Sequence, residues 1–68
     1  MAKSVVVDRV KLIAEMARQN ITGEELARKA GVGRSAVTSM RGGGKVWRNT
    51  AQHVAQALGV QLEDLMED

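Results

Sequence analysis

Six basic side chains lie between positions 28 and 48 of this chain, and no acidic residue lies among them. They are Arg28, Lys29, Arg34, Arg41, Lys45 and Arg48. The residues before this block carry four basic and four acidic side chains, and those after it carry four acids and no Lys or Arg. This distribution favours a surface that binds a polyanion such as nucleic acid. A solvated basic helix surface is the alternative that charge alone leaves open.

Residue types that carry enzymatic chemistry are sparse. The chain has no cysteine and a single histidine, His53, so we predict no disulfide, no metal site and no other cofactor. Ser35 has no His–Asp set to activate it as a nucleophile. The run Gly42–Gly44 with Lys45 resembles a phosphate loop, but Val46 stands where such a loop needs Ser or Thr, so a flexible helix end is favoured. We therefore predict no catalytic residue, no enzyme and no small-molecule ligand.

The length of 68 residues predicts one domain, spanning residues 1–68, with a thin aliphatic core. No apolar run approaches the 18 residues or so of a membrane span. The short apolar run Val5–Val7 is less than a secretory signal needs, so a cytoplasmic protein is expected.

Helical spacing and capping residues predict the first two helices. The first runs from about Val5 or Asp8 to Gln19, and its apolar stripe consists of Val6, Val10, Ile13, Ala14 and Ala17. Thr22 followed by Glu25 is a capping box that begins the second helix, which Gly31 ends.

The third helix runs from Arg34 to Met40 after Gly33 as its N-cap. A fourth is predicted from Arg48 or Asn49 to Gly59, and a short fifth from about Leu62 to Met66. The predicted core consists of Val10, Ile13, Leu26, Ala27, Val37, Met40, Val54 and Leu58.

Two stretches resemble the phage repressor and Cro family, also called the XRE family. Residues 21–40, ITGEELARKAGVGRSAVTSM, look like its helix-turn-helix, and residues 54–66, VAQALGVQLEDLM, look like its fourth helix and the start of its fifth. The resemblance implies an all-α, five-helix, lambda-repressor-like domain with the helix-turn-helix at about 22–41. It also implies that the third helix reads the major groove of DNA.

The family pattern implies two sets of DNA contacts. Base contacts fall on Arg34, Ser35, Thr38 and Ser39. Contacts to the DNA backbone fall on Thr22, Gly23, Arg41, Lys45, Trp47, Arg48 and Asn49. For Trp47, packing over the loop stays open beside contact with the edge of the DNA. The chain departs from many family members in having Gly23 where Gln is frequent and Arg41 where Glu is frequent.

The resulting hypothesis is a sequence-specific, repressor-like regulator that binds a palindromic double-stranded operator as a homodimer, at least on DNA. The expected dimer contact is the apolar C-terminal segment with Leu62, Leu65 and Met66, and Val5–Val7 is the alternative surface. An antitoxin-type module that binds a protein as well as DNA is the alternative function. The chain has almost no sequence beyond the predicted fifth helix for a toxin-binding segment, so the regulator is favoured.

Overall fold

Helices alternate with two short strands in the computed structural model, which describes residues 3–66. In chain order the elements are β1 (Ser4–Val6), α1 (Arg9–Gln19), α2 (Gly23–Ala30), α3 (Arg34–Arg41), β2 (Lys45–Trp47), α4 (Arg48–Leu58) and a 3₁₀ helix (Leu62–Leu65). The prediction of a mostly helical domain is confirmed. The finer prediction, five α-helices without a sheet, is wrong. The two strands lie outside the helical stretches: β1 before α1, and β2 between the glycine run and α4.

The two strands form an antiparallel ribbon in which Val5 is paired with Val46. Consecutive β-branched valines favour the extended backbone that this pairing needs. At one end of the ribbon the Arg48 N–H donates to the Lys3 carbonyl at 2.6 Å. Val7 is buried and forms an isolated antiparallel bridge with Met66. Val7 is therefore part of the core and is not free for a dimer contact, whereas Val5 and Val6 are half-buried.

Helix α1 begins after Asp8, whose carboxylate accepts hydrogen bonds from the backbone N–H of Val10 at 2.9 Å and of Lys11 at 3.3 Å. The helix ends at Asn20, which adopts the left-handed conformation with φ 53°, as its residue type predicts. The buried residues of α1 are Leu12 and Met16, four positions apart.

The predicted inner stripe of α1 is wrong. Val10 is 68% exposed and Ile13 is 41% exposed, so neither belongs to the core. The helix carries apolar residues on two opposite faces, and spacing alone does not tell which face turns inward. The longer Leu12 and Met16 fill the interior, and the stripe with Val10 and Ile13 lies at the surface.

Helices α2 and α3 follow the predicted capping signals closely. The Thr22 hydroxyl accepts from the Glu25 N–H, and the Glu25 carboxylate accepts from the Thr22 N–H, both at 3.1 Å. Gly31 ends α2 with φ 71°, a conformation that favours glycine. Gly33 is the extended residue that precedes α3, so the two helices are joined by three residues.

The C-terminal part packs on the other elements. Helix α4 buries Ala51, Val54, Ala55 and Leu58 and ends at Gly59, as predicted. The fifth helix is a single 3₁₀ turn, and its Leu62 and Leu65 are buried in the core of the same domain. The prediction that these leucines form a dimer contact is therefore wrong, because their apolar surface is already covered. Of the predicted core, six members are confirmed: Leu26, Ala27, Val37, Met40, Val54 and Leu58.

Candidate nucleic-acid interface

The helix-turn-helix unit holds α3 firmly against α2. Leu26 and Ala27 of α2 and Val37 and Met40 of α3 are all buried, and the small Ala27 lets the two helices approach closely. Val32 in the turn is half-buried against the same core. Because one face of α3 is fixed in this way, the orientation of its other face is determined by the fold.

The outer face of α3 carries the four predicted base-contacting residues, and all four are exposed: Arg34, Ser35, Thr38 and Ser39. The Thr38 hydroxyl donates to the Arg34 carbonyl at 3.1 Å. Its proton is therefore engaged with the backbone, and Thr38 offers outward a lone pair and a methyl group. The Arg34 guanidinium belongs to none of the ion pairs of residues 3–66, so its donors face solvent.

One groove, here called the α2 groove, separates the start of α2 from α3. It is lined by Thr22, Gly23, Glu24, Arg34, Val37, Thr38 and Arg41. A Cβ atom placed on Gly23 would lie 3.2 Å from the Arg41 Nη1 atom. The Arg41 guanidinium therefore packs over the backbone of Gly23 at the amino end of α2, in space that a side chain at position 23 would otherwise share. Two predicted DNA-backbone residues, far apart in the sequence, meet at this point.

A second groove, here called the ribbon groove, lies on the other side of the α3 face. Its lining consists of Ser4, Ser35, Ala36, Ser39, Lys45, Val46, Trp47 and Thr50. The glycine run closes this side: the Gly44 N–H donates to the Ser39 carbonyl at 2.7 Å, and a Cβ at Gly44 would meet that oxygen at 3.2 Å. Strand β2 can therefore run directly beside α3.

Trp47 is 61% exposed, so the interpretation that it packs over the loop is not supported. Its indole forms part of the wall of the ribbon groove next to Lys45. Arg48 and Asn49 are exposed in the first turn of α4 but line neither groove. The structure thus brings most of the predicted backbone-contact residues to the two sides of α3 and leaves these two further out.

Ser4 is a residue that sequence reasoning missed. It lies in the ribbon groove because β1 pairs with β2, with Ser4 opposite Trp47. The signal was the valine run Val5–Val7, whose β-branched residues indicate a strand that must find a partner.

Electrostatics separate this surface from the rest of the domain. In the described part of the chain, the ion pairs Arg18–Glu15 and Arg28–Glu24 lie on α1 and α2 and neutralise charge there. No acid partner is found among residues 3–66 for Arg34 and Arg41 of α3, or for Lys45 and Arg48 after it. Among the described residues that line the two grooves, Glu24 is the one acid.

Other kinds of site find little support in the described residues. No group of three or more His, Cys, Asp or Glu side chains within residues 3–66 is arranged to hold a metal ion. None of the helices in the same range has the length and apolar character required to cross a bilayer. His53 is exposed on α4.

A short-turn helix pair that presents an exposed, basic second helix defines a helix-turn-helix DNA-binding domain. A family model described as the Cro/C1-type HTH DNA-binding domain matches residues 11–68. The chain belongs to this family, which makes it a DNA-binding regulator in general terms and confirms the resemblance read from residues 21–40 and 54–66. Comparisons with curated proteins and with solved structures return no significant match.

Proposed function

We propose that the protein is a sequence-specific transcriptional regulator, of repressor type, that inserts α3 into the major groove of an operator. One observation carries the proposal: the exposed face of α3 is a ridge between two grooves that both contain basic side chains. A ridge of this kind fits the major groove, and the grooves beside it are suited to the two sugar–phosphate backbones. Binding at the operator excludes polymerase, and no chemical step is involved.

Within this proposal, Arg34 is the main base-reading residue, because a guanidinium can donate to O6 and N7 of guanine together. Ser35, Thr38 and Ser39 read neighbouring positions. Phosphates are held from the α2 groove by Thr22, Gly23 and Arg41, and from the other side by Lys45, Trp47, Arg48 and Asn49. The protein acts in the cytoplasm, where it reaches its DNA.

A single recognition helix reads few base pairs, so we propose that two copies bind a palindromic site. The two half-sites lie about one helical turn apart, which is about 34–36 Å. The Cα extents of the domain, 33 × 25 × 20 Å, allow two copies to lie side by side at that separation.

The test is selection of bound sequences from random duplex DNA, followed by affinity measurements on the selected site and on a random duplex. Arg34→Ala should cost about 1–3 kcal/mol on the selected site and relax the preference at one base pair. Arg28→Ala is the matched control, since Arg28 is also an exposed arginine but pairs with Glu24 on α2. An equal loss on selected and random DNA would reduce Arg34 to a phosphate contact. Failure to enrich any sequence would overturn the proposed function.

A further inference from the structure

The exposed side of α1 carries an apolar stripe that the core does not use. It consists of Val10, Ile13, Ala14 and Ala17, and all four are exposed. Their spacing of three and four residues places them along one side of the helix, opposite the buried Leu12, with Met16 between the two sides. A helix that is apolar on both sides normally has a partner on both sides.

We propose that this stripe is the surface through which two copies of the chain contact each other on DNA. The inference rests on the proposed function, because it specifies how the two copies bound to one operator contact each other. It replaces the contact expected from Leu62 and Leu65 and from Val7, which are buried in the core of the domain.

The order of side chains along the stripe suits a two-fold contact. In an antiparallel α1 pair with the axis between positions 13 and 14, Val10 faces Ala17 of the second copy and Ile13 faces its Ala14. Each larger side chain then meets an alanine, and the contact is self-complementary, as a two-fold interface must be. Alanines at the crossing also let helix axes approach to the short end of the usual range of about 8–10 Å.

The position of the stripe agrees with assembly on one duplex. One depression is lined by Ile13, Met16, Ala17, Ile21, Thr22, Gly23 and Arg41. The last three residues belong to the α2 groove, so the carboxyl end of the stripe borders the proposed DNA-facing surface. A copy bound at the next half-site would approach along this edge.

The stripe is too small for a stable dimer in free solution. Helix α1 has 11 residues and is therefore about 16 Å long. Stable interfaces bury about 1,200 Å² or more in total, which a contact between two such helices does not reach. The contact is therefore expected to act when both copies are already held on DNA, where it appears as cooperativity between half-sites.

The experiment compares one half-site with two, using the selected sequence and the double variant Val10→Gln, Ile13→Gln. Glutamine keeps the side chains long and helix-compatible and adds no charge. Wild type should bind the two-half-site duplex cooperatively. The double variant should lose about tenfold or more of that cooperativity and keep its affinity for the single half-site within about twofold. Gln56→Ala, at an exposed position of α4, is the control and should change neither value.

A second readout uses the absence of cysteine from the chain. Ala14→Cys should form a disulfide-linked dimer under mild oxidation on the two-half-site duplex, and Gln56→Cys should not. Cooperativity unchanged in the glutamine variant, or a loss equal on one and two half-sites, would overturn the α1 contact while leaving DNA binding intact. Absence of binding to the selected half-site by wild type would instead overturn the proposed function.

Discussion

At the level of single residues, Gly23 and Arg41 act together. A side chain at position 23 would compete with the Arg41 guanidinium for space. A Cβ atom on residue 23 would lie 3.2 Å from the Arg41 Nη1 atom and 3.7 Å from the Val37 Cγ1 atom. The arginine end is flexible and exposed, so it can move away at little cost to folding. If the Arg41 guanidinium moved away from the amino end of α2, however, the proposed phosphate-binding surface of the α2 groove would lose a cation.

We expect Gly23→Ala to change the free energy of unfolding by less than about 1 kcal/mol, because the clash is with a mobile side-chain end. DNA affinity should fall by about 1 kcal/mol or about fivefold, the size of a lost phosphate contact rather than of a disrupted fold. The double variant with Arg41→Ala should bind no more weakly than Arg41→Ala alone, since both changes remove the same guanidinium from the same place. Additive losses in titrations of the three variants would show that Gly23 acts independently of Arg41.

At the level of elements, the start of α2 depends on the reciprocal pair of Thr22 and Glu25. Thr22→Ala removes the acceptor for the Glu25 N–H and should cost about 0.5–2 kcal/mol of stability in denaturant unfolding at neutral pH. Thr50→Ala, in the first turn of α4, is a suitable comparison because no capping hydrogen bond is made there by a side chain. Equal losses in the two variants would mean that the cap contributes nothing specific.

The same pair gives the domain a pH dependence. The backbone N–H of Thr22 donates to the Glu25 carboxylate and, with the Thr22 side chain, holds the pKa of Glu25 below its usual value. The charged form is thus favoured in the folded state, so this stabilisation is present above the unfolded pKa of about 4.3 and is lost as the pH falls through the lower folded pKa. Glu25→Gln should therefore flatten the fall in stability between about pH 5 and 3. Part of the slope should remain, because the Arg18 side chain likewise lowers the pKa of Glu15.

The elements also show how far sequence reasoning reaches. Helices α2, α3 and α4 were predicted well because local signals set their ends: the Thr22–Glu25 box, Gly31 and Gly59. The exposed face of α3 followed from the same spacing, given that Val37 and Met40 face inward.

The errors have a common physical origin in long-range contacts. Strand β1 exists because it pairs with a segment about forty positions away, which no local pattern of the valine run reveals. The choice between the two apolar faces of α1 depends on what α3 and the 3₁₀ helix offer to pack against. For the same reason the local sequence does not place Ser4 in the candidate site, because strand pairing brings it opposite Trp47.

At the level of the whole molecule, cations without an acid partner among residues 3–66 cluster on the side that presents α3. We expect the logarithm of the DNA association constant to fall steeply and linearly with the logarithm of salt concentration, because these cations displace condensed counterions. Lys45→Ala should weaken binding about equally on all sequences and reduce the magnitude of the slope by about one. Lys29→Ala, which removes a cation from the other end of α2, should leave the slope nearly unchanged. Binding insensitive to salt would mean that the basic cluster is not the contact surface.

The β-bridge between Val7 and Met66 also has a consequence for folding kinetics. The bridge joins positions 7 and 66, and the adjacent Asp8 N–H donates to the Leu65 carbonyl at 2.8 Å. Contacts this distant in sequence carry the largest loop-closure cost and tend to form late, whereas α2 and α3 meet through a three-residue turn. Val7→Ala should therefore accelerate unfolding and leave the folding rate almost unchanged, while Leu26→Ala should slow folding as well. Stopped-flow chevron plots of the two variants show whether the Val7–Met66 bridge forms after the transition state or is already present in it.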